Sequence, residues 1–113
     1  MVEIRVAGPP VPKGRPRFTQ GRVYTPKRTL DYETQIGWAW LETGAPRFEG
    51  PVSVEIIVRE GKRHPADLDN YIKIVLDALN GLAWADDRQV ERIDANITRK
   101  PHMPGLYIAI ERR

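Results

Sequence analysis

Between Gly50 and Thr98 the hydrophobic period changes twice, and this restricts the fold more than any other feature of the chain. Val52, Val54, Ile56 and Val58 alternate with Ser53, Glu55 and Arg59, the period of two expected of a strand with one buried face. From about Leu68 to Asn80 the apolar residues recur at helical spacing through Leu68, Ile72, Val75, Leu76 and Leu79, and Gly81 is a natural stop. Alternation returns over Val90 to Thr98 through Ile93, Ala95 and Ile97. The apolar parity shifts after Val90, which predicts an irregularity in that strand. Residues 60 to 66 and 82 to 88 read as connections, the first of them basic.

The flanks complete the pattern. Val2, Ile4 and Val6 form an alternating strand that Gly8-Pro9-Pro10-Val11-Pro12 terminates, because proline cannot donate to a ladder. Residues 13 to 26 form an extended basic loop with a short hairpin turning at Gln20-Gly21. Residues 26 to 43 favour a helix with Pro26 near its start and Gly44 past its end. That helix is apolar on two sides, with Leu30, Trp38 and Leu41 on one face and Tyr32, Ile36, Ala39 and Trp40 opposite. Two apolar faces need two partners, here a sheet and a second copy of the chain, so a homodimer is expected. Pro101 to Gly105 make a turn, and Leu106, Ile108 and Ile110 mark a last strand. The order β-α-β-α-β-β predicts a single α+β (mixed α/β) domain over 1–113, with helices packed on a mixed sheet.

Composition narrows the chemistry. With 113 residues the chain forms one modest core, leaving little room for a small-molecule cofactor. The absence of cysteine excludes disulfides, thiolate metal sites and cysteine nucleophiles. Met-Val-Glu-Ile-Arg lacks a signal-peptide layout, and no apolar run approaches about 18 residues, so a cytoplasmic chain without a membrane span is expected. The net charge of +3 hides an asymmetry. Arg5, Lys13, Arg15, Arg17, Arg22, Lys27 and Arg28 face Glu3 alone in the first 30 residues, and acids exceed bases in the remainder. A basic segment beside a separate acidic cluster is what a metal-dependent nucleic-acid enzyme requires, since cations hold phosphates and carboxylates hold the ion.

The acids fall in two places. Asp67 precedes the second helix and Asp69 lies in its first turn, where the non-helical first residue lets both carboxylates turn toward a common point. Lys73 follows Asp69 by four residues on the same helix face. Asp86-Asp87 come just before the third long strand, where adjacent side chains diverge, so one of them is expected to join the first pair. Three such carboxylates suit Mg²⁺, with Mn²⁺ as a substitute, a hard ion that keeps water and substrate phosphate oxygens. Lys73 would stabilise charge developing on phosphorus or orient the attacking water. The same aspartates also suit a helix cap and a polar turn, and spacing leaves both readings open.

The run ADLDNYIKIVLDALNGLAWADDRQV resembles the RusA family of Holliday junction resolvases, and GPPVPKGRPRF looks like the N-terminal segment of many of its phage and bacterial members. The resemblance implies a small homodimeric, Mg²⁺-dependent endonuclease that nicks opposing strands of four-way DNA junctions. Carried over by motif, Asp67, Asp69 and Asp87 would bind metal, with Asp86 the second choice, and Lys73 would be the catalytic lysine. Asn70 would support the site from behind, and Asp77 either supports it too or faces solvent. Where other members carry an arginine run before the first aspartate, this chain has Lys62 and Arg63 followed by His64-Pro65-Ala66. His64 is a poor ligand for an oxygen-preferring ion, and His102 in its turn is expected to be inert.

The expected DNA contacts are Lys13, Arg15, Arg17, Arg22, Lys62, Arg63 and Lys73, the first three spaced by two so that an extended backbone aims them together. Phe18 and Tyr24 interleave with these cations and either stack on unpaired bases or anchor the loop. Trp84 is expected to plug the core and fix the acidic turn. A nuclease for flaps or three-way junctions, and a DNA-binding module without catalysis, are the competing functions.

Overall fold

The computed structural model describes residues 1–14, 17–61 and 65–113, with backbone alone over 17–19. Strand β1 (Val2–Ala7) leads through the proline segment to a two-stranded ribbon, β2 (Arg17–Thr19) and β3 (Arg22–Tyr24). Helix α1 (Lys27–Glu42), strand β4 (Val52–Glu60) and helix α2 (Leu68–Leu79) follow. A single 3₁₀ turn (Asp87–Gln89) opens β5 (Val90–Arg99), and β6 (Gly105–Arg112) ends the chain. The main sheet has the order β1-β6-β4-β5, with β4 and β5 parallel and the other pairs antiparallel. The α+β expectation holds, with one short ribbon added to the element order. No helix is long and apolar enough to cross a membrane among the described residues.

Parallel neighbours require a crossover, and α2 supplies it by running back over the sheet from the end of β4 to the start of β5. This turns the change of period in the sequence into topology. Val52, Val54, Ile56 and Val58 meet Ile108, Ile110, Ile4 and Val6 in one core beneath the helices. The parity shift after Val90 is a bulge, because Val52 pairs with Val90 but Ser53 pairs with Arg92, leaving Glu91 extra.

Helix α1 divides as its two faces require. Tyr32, Ile36 and Trp40 are buried, whereas Leu30, Trp38 and Leu41 remain 48%, 61% and 52% exposed. The face assigned to α2 needs correction: Tyr71, Ile74 and Ala78 are buried besides Val75 and Leu79, while Leu68, Ile72 and Leu76 are only partly so. The helix touches α1 as well as the sheet, and that second contact widens its buried surface. The ribbon turns at Gln20-Gly21, with φ of 52° and 77°, the paired positive values of a two-residue hairpin turn. Gly81 adopts φ 83° just past α2 and stops it as expected.

Candidate active site

Asp67 is the N-cap residue of α2, with extended backbone at φ −73° and ψ 144°. Its side chain makes no capping hydrogen bond, so the capping reading of this aspartate fails. Asp69 and Lys73 stand exposed on the first turns of the same helix. Two strand ends fix this helix start. Glu60, at the end of β4 and 3% exposed, accepts from the Ala66 amide at 2.9 Å and the Tyr71 hydroxyl at 2.5 Å. Arg99, at the end of β5, donates to Glu60 at 2.7 Å and to the Ala66 carbonyl at 2.7 Å. Burial would raise the Glu60 pKa, but the hydrogen bonds from Tyr71, Ala66 and Arg99, with the Arg99 charge, outweigh it and hold the carboxyl below its ordinary range. Sequence reasoning missed Glu60 by placing it in a basic loop. The signal was its parity, which continues the buried positions of β4.

The basic segment is rooted beside the same helix start. The Lys13 amide donates to the Asn70 carbonyl at 2.9 Å, and the Gly14 amide to Thr29 Oγ1 at 3.0 Å. A Cβ on Gly14 would stand 2.8 Å from that hydroxyl oxygen, so the close approach needs glycine. The Lys13 side chain departs from the DNA-contact expectation. Its ammonium lies 2.6 Å from Glu33 on α1 and 2.9 Å from Asp77 on α2, with 19% of the side chain exposed. Desolvation would lower its pKa, but the hydrogen bonds and charges of Glu33 and Asp77 outweigh this and raise it. Lys13 therefore ties the arm to both helices, and Asp77 is its partner. Arg22 and Tyr24 are exposed on the ribbon. Arg15, Lys62, Arg63 and His64 lie outside the described residues, as do the side chains of Arg17 and Phe18.

The two members of the second acidic pair have different roles. Asp86 caps the 3₁₀ turn by accepting from the Arg88 amide at 2.8 Å, while Gln89 closes a capping box. That backbone hydrogen bond, aided by the Arg88 charge, lowers the Asp86 pKa. Asp87 is half-buried and accepts from Trp84 Nε1 at 2.7 Å through one oxygen. Trp84 is fully buried, so it is both the core plug and the clamp for this turn. Gln89 donates to the carbonyls of Phe48 and Gly50, which seats Asp87 at the beginning of β4 and β5.

The convergence of three acids fails within one chain. Asp67 and Asp69 sit over the ends of β4 and β5, whereas Asp87 sits at their beginnings. The 12 residues of α2 lie between them, a rise of about 18 Å. Consistent with this, no three His, Asp or Glu side chains group closely enough to hold an ion among the described residues. One chain offers the donor set in two parts, an exposed carboxylate pair and a separately braced carboxylate. A pair alone fits Mg²⁺, which is held by one or two carboxylates with water and phosphate oxygens completing its shell.

No curated protein matches the chain. The family described as Endodeoxyribonuclease RusA matches residues 7–111, which include the proline segment, the arm, both helices and both acidic pairs. The chain belongs to the RusA endodeoxyribonuclease family.

Proposed function

We propose that this endodeoxyribonuclease resolves four-way DNA junctions as a homodimer, using Mg²⁺ or Mn²⁺ held by Asp67 and Asp69 of one subunit and Asp87 of the other. The observation that carries this reading is the exposed, uncapped pair at the start of α2 beside the root of the basic arm. A two-fold axis perpendicular to α2 makes the two copies of that helix antiparallel. With that axis passing close to the middle of α2, each Asp67–Asp69 pair would lie near the partner's Asp87, and one operation would complete two equivalent sites. The surface for that contact is the outer face of α1 with the adjoining end of α2. Leu30, Trp38, Leu41 and Leu82 there border an open groove of about 330 Å³. Two equivalent sites suit two opposing strands of a junction.

When bound, the ion supplies a Lewis acid and lowers the pKa of a coordinated water. Lys73, one turn above Asp69, faces charge developing on the phosphoryl oxygens. Trp84 holds one oxygen of Asp87, and the other would be available to the ion. Arg17, Arg22 and the remaining cations of the arm grip flanking phosphates. Such an enzyme works in the cytoplasm on recombining or repaired DNA.

The test is a gel assay on a synthetic mobile four-way junction. The wild type should release paired symmetric nicks with Mg²⁺ and none with EDTA. Asp69→Asn and Asp87→Asn should each lower nicking at least 100-fold while binding the junction in Ca²⁺. Equal cleavage of flaps and linear duplex would reassign the substrate, and retained cleavage by both variants would remove these acids from the chemistry.

A further inference from the structure

The Ala66 peptide, immediately before Asp67, is gripped on both sides by side chains from separate strands. Glu60 Oε2 accepts from its amide at 2.9 Å, and Arg99 Nη1 donates to its carbonyl at 2.7 Å. The two side chains are themselves paired at 2.7 Å, which closes the clamp. Tyr71 adds a third anchor from α2, four residues beyond Asp67, through the same Glu60 oxygen that holds Ala66. Burying a carboxylate opposes folding unless donors replace its water, and Glu60 has three. Its 3% exposure keeps it away from substrate, so what it can control is where the neighbouring backbone lies.

We infer that Glu60 and Arg99 are positioning residues that hold Asp67 and Asp69 in a geometry ready for the divalent ion. The inference rests on the metal reading above and extends it to residues that touch neither ion nor DNA. Among the described residues, the Asp67 side chain makes no capping hydrogen bond that would orient it. Its carboxylate is therefore placed by its backbone, and the residue just before it is fixed from two strands. Groups that orient metal ligands from behind typically govern affinity by about 10- to 100-fold. Releasing Ala66 from one jaw lets the helix start shift, and even a small misplacement of a carboxylate weakens a hard-ion site.

The experiment is titration of the full chain with Mn²⁺ alone, followed by the electron paramagnetic resonance of free ion, with nicking against Mg²⁺ concentration as a second readout. Glu60→Gln and Arg99→Met should raise the Mn²⁺ Kd about 10-fold or more. Nicking should shift to higher Mg²⁺ and recover at saturation. Tyr71→Phe removes an anchor of Glu60 without freeing Ala66, so it should lower Tm while leaving the Kd within about twofold. If Glu60→Gln does not fold, Arg99→Lys on a half-exposed side chain carries the test, because a lysine ammonium ends one bond short of the Nη1 that reaches both Glu60 and the Ala66 carbonyl. Wild-type Mn²⁺ affinity in folded Arg99→Met and Arg99→Lys overturns the inference and leaves the metal reading standing. A wild type that binds no Mn²⁺ overturns the metal reading and the inference with it.

Discussion

At Glu60 a buried charge joins two strand ends to a helix start, and its titration gives the fold a defined acid limit. Its folded pKa lies below the ordinary 4.5, so its contribution is complete above that value and is lost as pH falls through the lower one. The wild-type Tm should fall as pH drops from about 5 toward 3. Glu60→Gln should be less stable at pH 7 by about 1–3 kcal/mol, the range for buried donors left with a poorer acceptor. Its Tm should also fall less steeply in acid, and equal acid slopes by calorimetry would contradict this role. Neither Glu60 nor the Lys13 triad was legible from local spacing. Lys13 and Asp77 are 64 residues apart, and period and motif describe neighbours along the chain rather than charges that meet across it. The placement of Asp67, Asp69 and Lys73 along one helix start was legible, because a single element carries all three.

Among the elements, hydrophobic periodicity located α2 and the four long strands, Pro26 and Gly44 bracketed α1, and the break in period after Val90 located the bulge. Sheet order was not legible, since alternation fixes which side of a strand is buried and says nothing of its neighbours. The arm is where this matters for function. Its root is held by α1 and α2 through Lys13, and its ribbon presents Arg22. Lys13→Met should lower stability by about 1–3 kcal/mol, below the range for fully buried pairs because Asp77 is partly solvated. Arg22→Ala should leave stability unchanged and reduce the salt slope of junction binding by about 1. Thermal melts and binding at several salt concentrations separate the two roles. A reduced slope with unchanged stability for Lys13→Met would return that lysine to the DNA interface.

For the whole molecule, the division of the acids between opposite ends of α2 decides the account. The outer apolar face of α1 was legible as a face lacking a partner. The separation of the two acidic pairs was not, because Asp67 and Asp87 are 20 residues apart in sequence while the crossover holds them a helix length apart. Trp38→Glu with Leu41→Glu should leave the fold intact, convert a dimer to monomer by sedimentation equilibrium, and remove nicking. A dimer that survives would move the interface elsewhere. Mixing Asp69→Asn and Asp87→Asn chains, each inactive alone, under conditions that exchange subunits shows whether the acids are shared between chains. If each site draws Asp69 from one chain and Asp87 from the other, half the sites in the mixed dimer regain every acid. Nicking of single strands should then return in the mixture. If all three acids serve within one chain, every site in the mixture stays broken, and continued inactivity of mixed dimers shown to have formed would contradict the account.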